Sequence, residues 1–257
     1  MNKFVVYTAI FNDYDWLKDP VSPNPYVDYI CYTDSDKIAS SVWKVVRVSL
    51  SGLTPIIMNR RIKLLYPFSE LKNYDYSLYV DGSVMIKGNV SIFLEKYLAQ
   101  KPILMNFKHP NNDCIYEEMI RCVKQGRGNA HKLFDQYVKY VNDEMPMHYG
   151  LSDNKIILRD NHSELCKTIM EEWYDEVVNY SGRDQVCLSY VLYKHNMQYV
   201  FFDESIIKND FFETWPHNTD SKKAKWWRRF KWFCERKQIL LYVVSFLEKK
   251  VKPKFIK

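Results

Sequence analysis

The chain has 257 residues, of which 47% are hydrophobic and 16% aromatic, and this composition excludes a disordered or fibrous protein. Its formal net charge is +6, but residues 221–257 hold 13 Lys and Arg and only two acidic residues, so residues 1–220 are net negative. A general attraction to nucleic acid is therefore excluded for residues 1–220.

The cysteine pattern and the amino terminus point to the cellular compartment. Six cysteines include no C-x-x-C pair, and Met1 to Lys3 lead directly into a strand-like segment rather than an apolar signal sequence. The longest apolar run is about half of the roughly 18–20 residues that span a bilayer. We expect a cytoplasmic protein with reduced thiols.

Predicted strands and helices alternate along the chain. Apolar runs predict strands over residues 4–10, 29–33 and 43–48, a helix over 55–66 and a strand over 76–80. Later elements are a helix over 91–98, a strand over 103–107, helices to about 141, a strand over 155–158, helices after Asn161 and from Ser181, and a strand over 198–202. Residues 1–220 are therefore predicted to form one α/β domain, with a Rossmann-type, mostly parallel sheet flanked by helices.

The most informative local motif is Asp81-Gly82-Ser83, which follows an apolar strand at the edge where such sheets bind ligands. A carboxylate there can hold Mg²⁺ or Mn²⁺ against a diphosphate, and Gly82 allows the backbone to approach closely. We predict Asp81 as a metal ligand, with His217 as a second, and Ser83 as a donor-binding residue. An ordinary Asp-Gly turn at the end of a strand is the alternative.

Cationic and polar residues near the same edge suit a nucleotide. Arg60 and Lys63 share a helix face and can stabilise the charge of a leaving nucleoside diphosphate. Asp34 and the loop over 12–15 follow the first two strands, where a uracil base and a ribose would bind. A solvated basic face and turn-forming Asx residues are the alternatives.

Three residues are candidates for the chemistry on the acceptor side. His109 follows the strand over 103–107 and can act as a general base toward an acceptor hydroxyl. Asp184 and Gln185 lie at the start of a predicted helix, where the helix dipole favours a carboxylate. The alternatives are a surface histidine and a capping box that begins at Ser181.

Taken together, these residues resemble the family catalogued as domain of unknown function 616, which is described as glycosyltransferase-like and has bacterial and plant members. The resemblance covers about residues 4–205. The segments that carry it are residues 5–15, 28–34, 79–83, 109–110, 114–118, 150–151 and 181–185, with Arg60, Lys63 and Arg159.

The resemblance implies a glycosyltransferase A-type (GT-A) fold in which the Asp81 turn takes the place of the D-x-D motif. It also implies that Thr8 and Asp34 line the nucleotide. The diphosphate would be bound by Arg60 and Lys63. The reacting sugar would be bound by Asp184 and Gln185.

The carboxyl-terminal residues 221–257 interleave Lys and Arg with Trp and Phe. A basic, aromatic helical tail of this kind is typical of segments that bind an anionic membrane surface. The alternatives are packing on the protein's own domain and binding of single-stranded nucleic acid. The negative charge of residues 1–220 argues against nucleic acid.

The sequence thus predicts a cytoplasmic glycosyltransferase that is peripheral on the inner face of the membrane. We expect it to move a sugar from a nucleotide-diphosphate donor, with UDP favoured, to a lipid-linked glycan acceptor in surface polysaccharide biosynthesis. Mn²⁺ or Mg²⁺ is the expected cofactor. The alternatives are a metal-dependent hydrolase of a lipid substrate and a nonenzymatic carbohydrate-binding protein.

Overall fold

The computed structural model describes residues 3–65 and 73–218, in which strands and helices alternate. The strands are β1 (Phe4–Ile10), β2 (Asp28–Thr33), β3 (Lys44–Arg47), β4 (Tyr76–Val80), β5 (Val84–Ile86), β6 (Leu104–Lys108), β7 (Ser152–Asp160) and β8 (Phe212–Thr214). The helices are α1 (Pro55–Leu64), α2 (Val90–Leu98), α3 (Ile115–Lys124), α4 (Ala130–Asn142), α5 (Glu164–Asn179) and α6 (Leu188–Lys194). A single 3₁₀ turn covers Asp184–Val186.

The main sheet has six strands in the order β3-β2-β1-β4-β7-β6. Parallel pairing joins β3 to β2, β2 to β1 and β1 to β4, whereas β7 runs antiparallel to both β4 and β6. The carboxyl ends of β1, β2, β4 and β6 therefore meet at one edge. This arrangement confirms the predicted α/β fold with a mostly parallel sheet flanked by helices.

Both faces of the sheet are covered by a hydrophobic core. The strand β1 is buried along its whole length because its alternate side chains enter two different clusters. Val5 and Tyr7 pack with residues of α1, α3, α4, α5 and α6, and Val6 and Ile10 pack with α2 and the segment around Phe212. Helices on both faces leave the edge of the sheet as the place for a ligand.

A second, two-stranded sheet was not predicted from the sequence. Strand β8 pairs antiparallel with β5, and Val84 lies opposite Thr214. This pairing returns the chain after residue 212 to the end of β4. It places residues 215–218 beside the loop that follows β1.

Two predicted elements differ from the structure. The strand predicted over 198–202 is reduced to one isolated parallel bridge between Asn106 and Phe201. The helix predicted from Ser181 is instead the 3₁₀ turn followed by α6. Gly182 has a φ of +72°, which a right-handed helix does not admit.

The predicted basic tail over 221–257 lies outside the described residues. Within residues 3–65 and 73–218, no helix combines the length and the apolar character needed to cross a membrane. The five cysteines of this part of the chain are buried free thiols.

Candidate functional site

A cavity of about 600 Å³ opens at the carboxyl edge of β1 and β4. Its walls come from the loop after β1, the first half of α1, Asp81 at the end of β4, the segment 181–183 before the 3₁₀ turn, and His217. The cavity lies where an open α/β sheet binds its ligands. Its two ends carry opposite charges.

The acidic end consists of Asp15, Asp81 and His217, whose ligand atoms all lie within 4.8 Å of one another. The His217 Nδ1 atom is 2.8 Å from an Asp15 carboxylate oxygen. Strand β8 brings His217 to this position, and the backbone N–H of Trp215 donates to the Ser83 carbonyl over 2.7 Å.

Glycine at position 82 permits the close contact between two of these segments. A Cβ atom on Gly82 would lie 2.9 Å from Ile10 Cγ1 and 3.1 Å from an Asp15 carboxylate oxygen. Any side chain there would displace Asp15 from Asp81. The close backbone approach predicted for the Asp81 turn is therefore made toward the protein's own Asp15.

Asp81 is held as a carboxylate that faces its neighbours in a fixed orientation. Its Oδ1 atom accepts hydrogen bonds from the Ser83 N–H at 3.0 Å and the Ser83 hydroxyl at 2.7 Å. Burial raises the pKa of Asp81, but the Lys63 charge and these hydrogen bonds outweigh it and leave the pKa below its ordinary value. Ser83, which does not line the cavity, orients Asp81.

The acidic end fits a divalent cation. Two carboxylates and one imidazole form an oxygen and nitrogen donor set of the kind that holds Mn²⁺, and Mg²⁺ is bound through one or two such carboxylates. Asp81 and His217 are the two ligands predicted from the sequence, and the structure adds Asp15 to them.

The basic end is built on Asp184, which is buried between two cations. Lys63 Nζ lies 2.5 Å from one carboxylate oxygen, and an Arg60 terminal nitrogen lies 3.4 Å from the other. Burial raises the pKa of Asp184, but the charges of Arg60, Lys63 and Arg183 bring it far below its usual range. Asp184 is therefore ionised at neutral pH and a weak base.

Arg60 is fixed toward the cavity by its neighbours. A terminal nitrogen donates to the Asn59 amide oxygen over 3.1 Å, and Asn59 donates to the Ala9 carbonyl over 2.8 Å. Within residues 3–65 and 73–218, the buried Nε atoms of Arg60 and of Arg183, which lines the same cavity, have no hydrogen-bond partner. Both arginines line the cavity, where a guanidinium group can bind an anionic ligand.

Helix α1 positions Arg60 through its amino-terminal cap. The Thr54 hydroxyl accepts from the Ile57 N–H, and Pro55 occupies the first turn, where its missing N–H is not needed. Lys63, one turn after Arg60, is only 2% exposed and does not reach the cavity. Burial lowers the pKa of Lys63 more than Asp184 raises it.

The remaining predicted residues lie around the cavity and not in its walls. Thr8 is buried within β1, and Asp34 accepts from the Asn12 N–H over 2.9 Å, which holds the loop after β1. Gln185 donates to the Ser152 carbonyl over 3.2 Å. His109 lines a second cavity farther along the same edge. The roles of these residues stay predictions.

The sequence predicts that Asp15 binds the base or ribose along with the rest of its loop, and not a metal, and it predicts no separate role for Arg183. The loop after β1 contains three Asx residues, and Asn12 and Asp13 both have a φ near +50° (56° and 48°), so the loop's course does not follow from periodicity. The only available signal for Asp15 was its place beyond a strand end. Arg183 belonged to a segment interpreted as a helix cap.

The chain matches a family model and is similar to a solved structure. The model of the family described as TOD1/MUCI70, glycosyltransferase-like domain, matches residues 1–217. No curated protein matches the chain. Among solved structures, the apo structure of the bifunctional glycosyltransferase WbbM is similar, with 11% identity, a TM-score of 0.48 and coverage of 77% of this chain. The alignment spans 39% of the WbbM chain. The family model covers most of the 257 residues of the chain, and the chain therefore belongs to the TOD1/MUCI70 glycosyltransferase-like domain family.

Proposed function

We propose that this protein transfers a sugar from a nucleotide-diphosphate sugar to a hydroxyl group of a glycan acceptor. One observation carries the proposal, namely that a single cavity is lined by the cluster of Asp15, Asp81 and His217 and by two arginines, Arg60 and Arg183. A diphosphate that bridges a cation and two guanidinium groups has this charge pattern.

In this mechanism the protein's own groups stabilise the leaving nucleoside diphosphate. Arg60 and Arg183 donate hydrogen bonds to its oxygens as negative charge develops during cleavage of the sugar–phosphate bond. Asp184 positions Arg60 through their ion pair and does not itself act as a base. A divalent cation would contribute through its charge, because Mn²⁺ or Mg²⁺ held by Asp15, Asp81 and His217 would neutralise part of the diphosphate charge.

The nucleoside would bind beside the loop after β1. Tyr14 is 43% exposed at the cavity, and its ring centroid lies 4.6 Å from that of His217. An exposed ring next to the proposed cation is suited to stacking on a base. UDP is the donor nucleotide that we favour, with Asn12 in the cavity wall as a polar group for it and Asp34 holding the Asn12 backbone.

Of the three residues predicted for the acceptor side, His109 and Asp184 are titratable, and His109 is the better base. Burial lowers the pKa of His109, and Glu118 and Asp153 oppose that shift only in part. Its imidazole is therefore neutral at pH 7 and able to accept a proton. Asp184 lacks this capacity because both of its oxygens are paired with cations.

A thermal-shift panel tests the donor site. UDP, GDP, CDP and their common sugars are added with and without Mn²⁺ to the wild type and to Asp81→Asn, Arg60→Ala and Arg61→Ala. A ligand that binds only the folded state raises the melting temperature. We expect a metal-dependent shift in the wild type that is lost in the first two variants.

Arg61→Ala is the matched control, because Arg61 lies on the same helix as Arg60 but is exposed outside the cavity. Its shift should equal that of the wild type. No shift with any nucleotide, or equal shifts in the wild type and Asp81→Asn, would contradict the proposal.

The same three side chains also suit a metal-dependent hydrolase of a lipid substrate, because a cation held by Asp15, Asp81 and His217 can activate water. Such an enzyme would release its product without any nucleotide. A product assay with and without the nucleotide sugar therefore separates the two activities.

We further propose that the acceptor is lipid-linked and that the protein acts on the cytoplasmic face of a membrane in polysaccharide biosynthesis. The support is the composition of residues 221–257, which combine 13 Lys and Arg with four Phe and three Trp. Basic residues with large aromatics favour an anionic membrane surface.

A further inference from the structure

A second cavity of about 600 Å³ lies along the same edge of the sheet, beyond β4. Its walls include His109, which follows β6, and Asp153 and Lys155 of β7. The N–H of Asp81, at the acidic end of the first cavity, donates to the Lys155 carbonyl over 2.7 Å. The two cavities are therefore neighbours.

A short segment of chain separates them. Thr214 lines the second cavity and His217 lines the first, so Trp215 lies between the two. The backbone of this segment is fixed, because Thr214 pairs with Val84 and the Trp215 N–H donates to Ser83. The Trp215 side chain is 44% exposed. The half-exposed Trp215 side chain therefore belongs to a fixed backbone segment between the two cavities.

The lining of the second cavity suits an uncharged ligand with many hydroxyl groups. Two basic and two acidic side chains, Lys87, Lys155, Asp153 and Glu213, balance in charge. Lys155 and Asp153 also pair with each other over 2.7 Å. Groups that donate and accept hydrogen bonds share the cavity with apolar side chains such as Ile206 and Phe212, and this lining can bind both the hydroxyl groups and the C–H faces of a sugar.

Building on the proposed transferase function, we infer that the second cavity and Trp215 bind the acceptor as an oligosaccharide. One pyranose ring stacks on the Trp215 indole, and the acceptor sugars occupy the second cavity beside His109, with the reacting hydroxyl directed toward the first cavity. Aromatic faces bind the C–H surface of sugar rings, and the surrounding polar groups bind the hydroxyls. A single sugar would fill only part of this cleft.

The inference is tested by glycan-array binding of the full chain. The array carries monosaccharides and longer neutral and acidic oligosaccharides, and it is probed with the wild type, Trp215→Ala, Trp215→Phe and Tyr26→Ala. We expect oligosaccharides to be retained better than monosaccharides, about tenfold weaker binding by Trp215→Ala, and partial recovery by Trp215→Phe. Tyr26→Ala is the control, because Tyr26 is 84% exposed before β2, at the opposite edge of the sheet.

Three results would overturn the inference. The first two are a wild type that retains no oligosaccharide and a Trp215→Ala variant that binds as well as the wild type. A third is a Trp215→Ala variant that keeps its glycans but loses binding to vesicles of phosphatidylcholine and phosphatidylglycerol, since Trp215 would then face lipid. The thermal shift with UDP and Mn²⁺ is measured in parallel. Its absence from the wild type contradicts the donor proposal, whereas its retention in Trp215→Ala confines the defect to the acceptor cleft.

Discussion

At the scale of single residues, the central feature is the Asp184 carboxylate, which positions the neighbouring cations by ion pairing. Asp184 is buried and pairs with both Arg60 and Lys63, and its backbone carbonyl accepts from the Trp173 indole N–H over 2.8 Å. These contacts join α1, α5 and the 3₁₀ turn at one point. Asp184 therefore stabilises the fold and directs Arg60 into the cavity at the same time.

We predict that Asp184→Asn lowers the free energy of unfolding by about 3–5 kcal/mol, because it leaves two buried cations without their counter-charge. Urea denaturation at neutral pH measures this loss. Asp175→Asn, an exposed change on α5, serves as the control and should be nearly neutral. A loss equal to that of Asp175→Asn would show that the buried pairs contribute nothing.

The pH dependence of stability follows from the same residue. The folded-state pKa of Asp184 is lowered, so its contribution is fully present above the unfolded-state pKa near 3.8 and is lost as the pH falls toward the folded-state pKa. We expect the stability difference between the wild type and Asp184→Asn to shrink as the pH falls below about 3.8. Urea midpoints across that range measure it, and a difference independent of pH would contradict it.

At the scale of elements, the parallel strands were the easiest to predict. Strands β1 and β4 are apolar runs buried on both faces, and their predicted bounds match the structure. The reversed direction of β7 was not predictable, because a strand buried on both faces has the same pattern in either direction. Strand β8 was missed because it has three residues and its partner β5 lies more than 100 residues earlier.

The missed strand has a functional consequence that can be measured. Phe212 in β8 packs on Phe93, with ring centroids 5.0 Å apart, and this contact holds the chain that leads to His217. We predict that Phe212→Ala costs about 3–5 kcal/mol of stability and also weakens Mn²⁺ binding, because His217 loses its fixed position. Calorimetric titration with Mn²⁺ in the presence of UDP measures the second effect.

Phe4→Ala is the matched control for this experiment. Phe4 belongs to the same hydrophobic cluster but lies at the start of β1, at the opposite edge of the sheet. It should lower stability and leave Mn²⁺ affinity unchanged. Equal affinity losses in both variants would mean that global destabilisation, and not the position of His217, causes the effect.

At the scale of the whole molecule, the charge is divided between two parts of the chain. Residues 1–220 are net negative, and residues 221–257 carry the excess of Lys and Arg. An anionic surface therefore repels the first part and attracts the second. The sheet edge and its cavities would be brought to a lipid-linked acceptor by the carboxyl-terminal residues alone.

We predict that replacing Lys222, Lys223 and Lys225 together by Gln weakens binding to anionic vesicles by about 3 kcal/mol, roughly 150-fold, at about 1 kcal/mol for each basic residue. Sedimentation with phosphatidylglycerol-containing vesicles measures the partition. The wild-type binding should also decline as salt is added, because the attraction is screened within about a nanometre. The same change of charge at Lys44, Lys101 and Lys167, which are exposed in the described part of the chain, is the control. If both triple variants lost binding equally, net charge and not the carboxyl-terminal segment would govern membrane attachment.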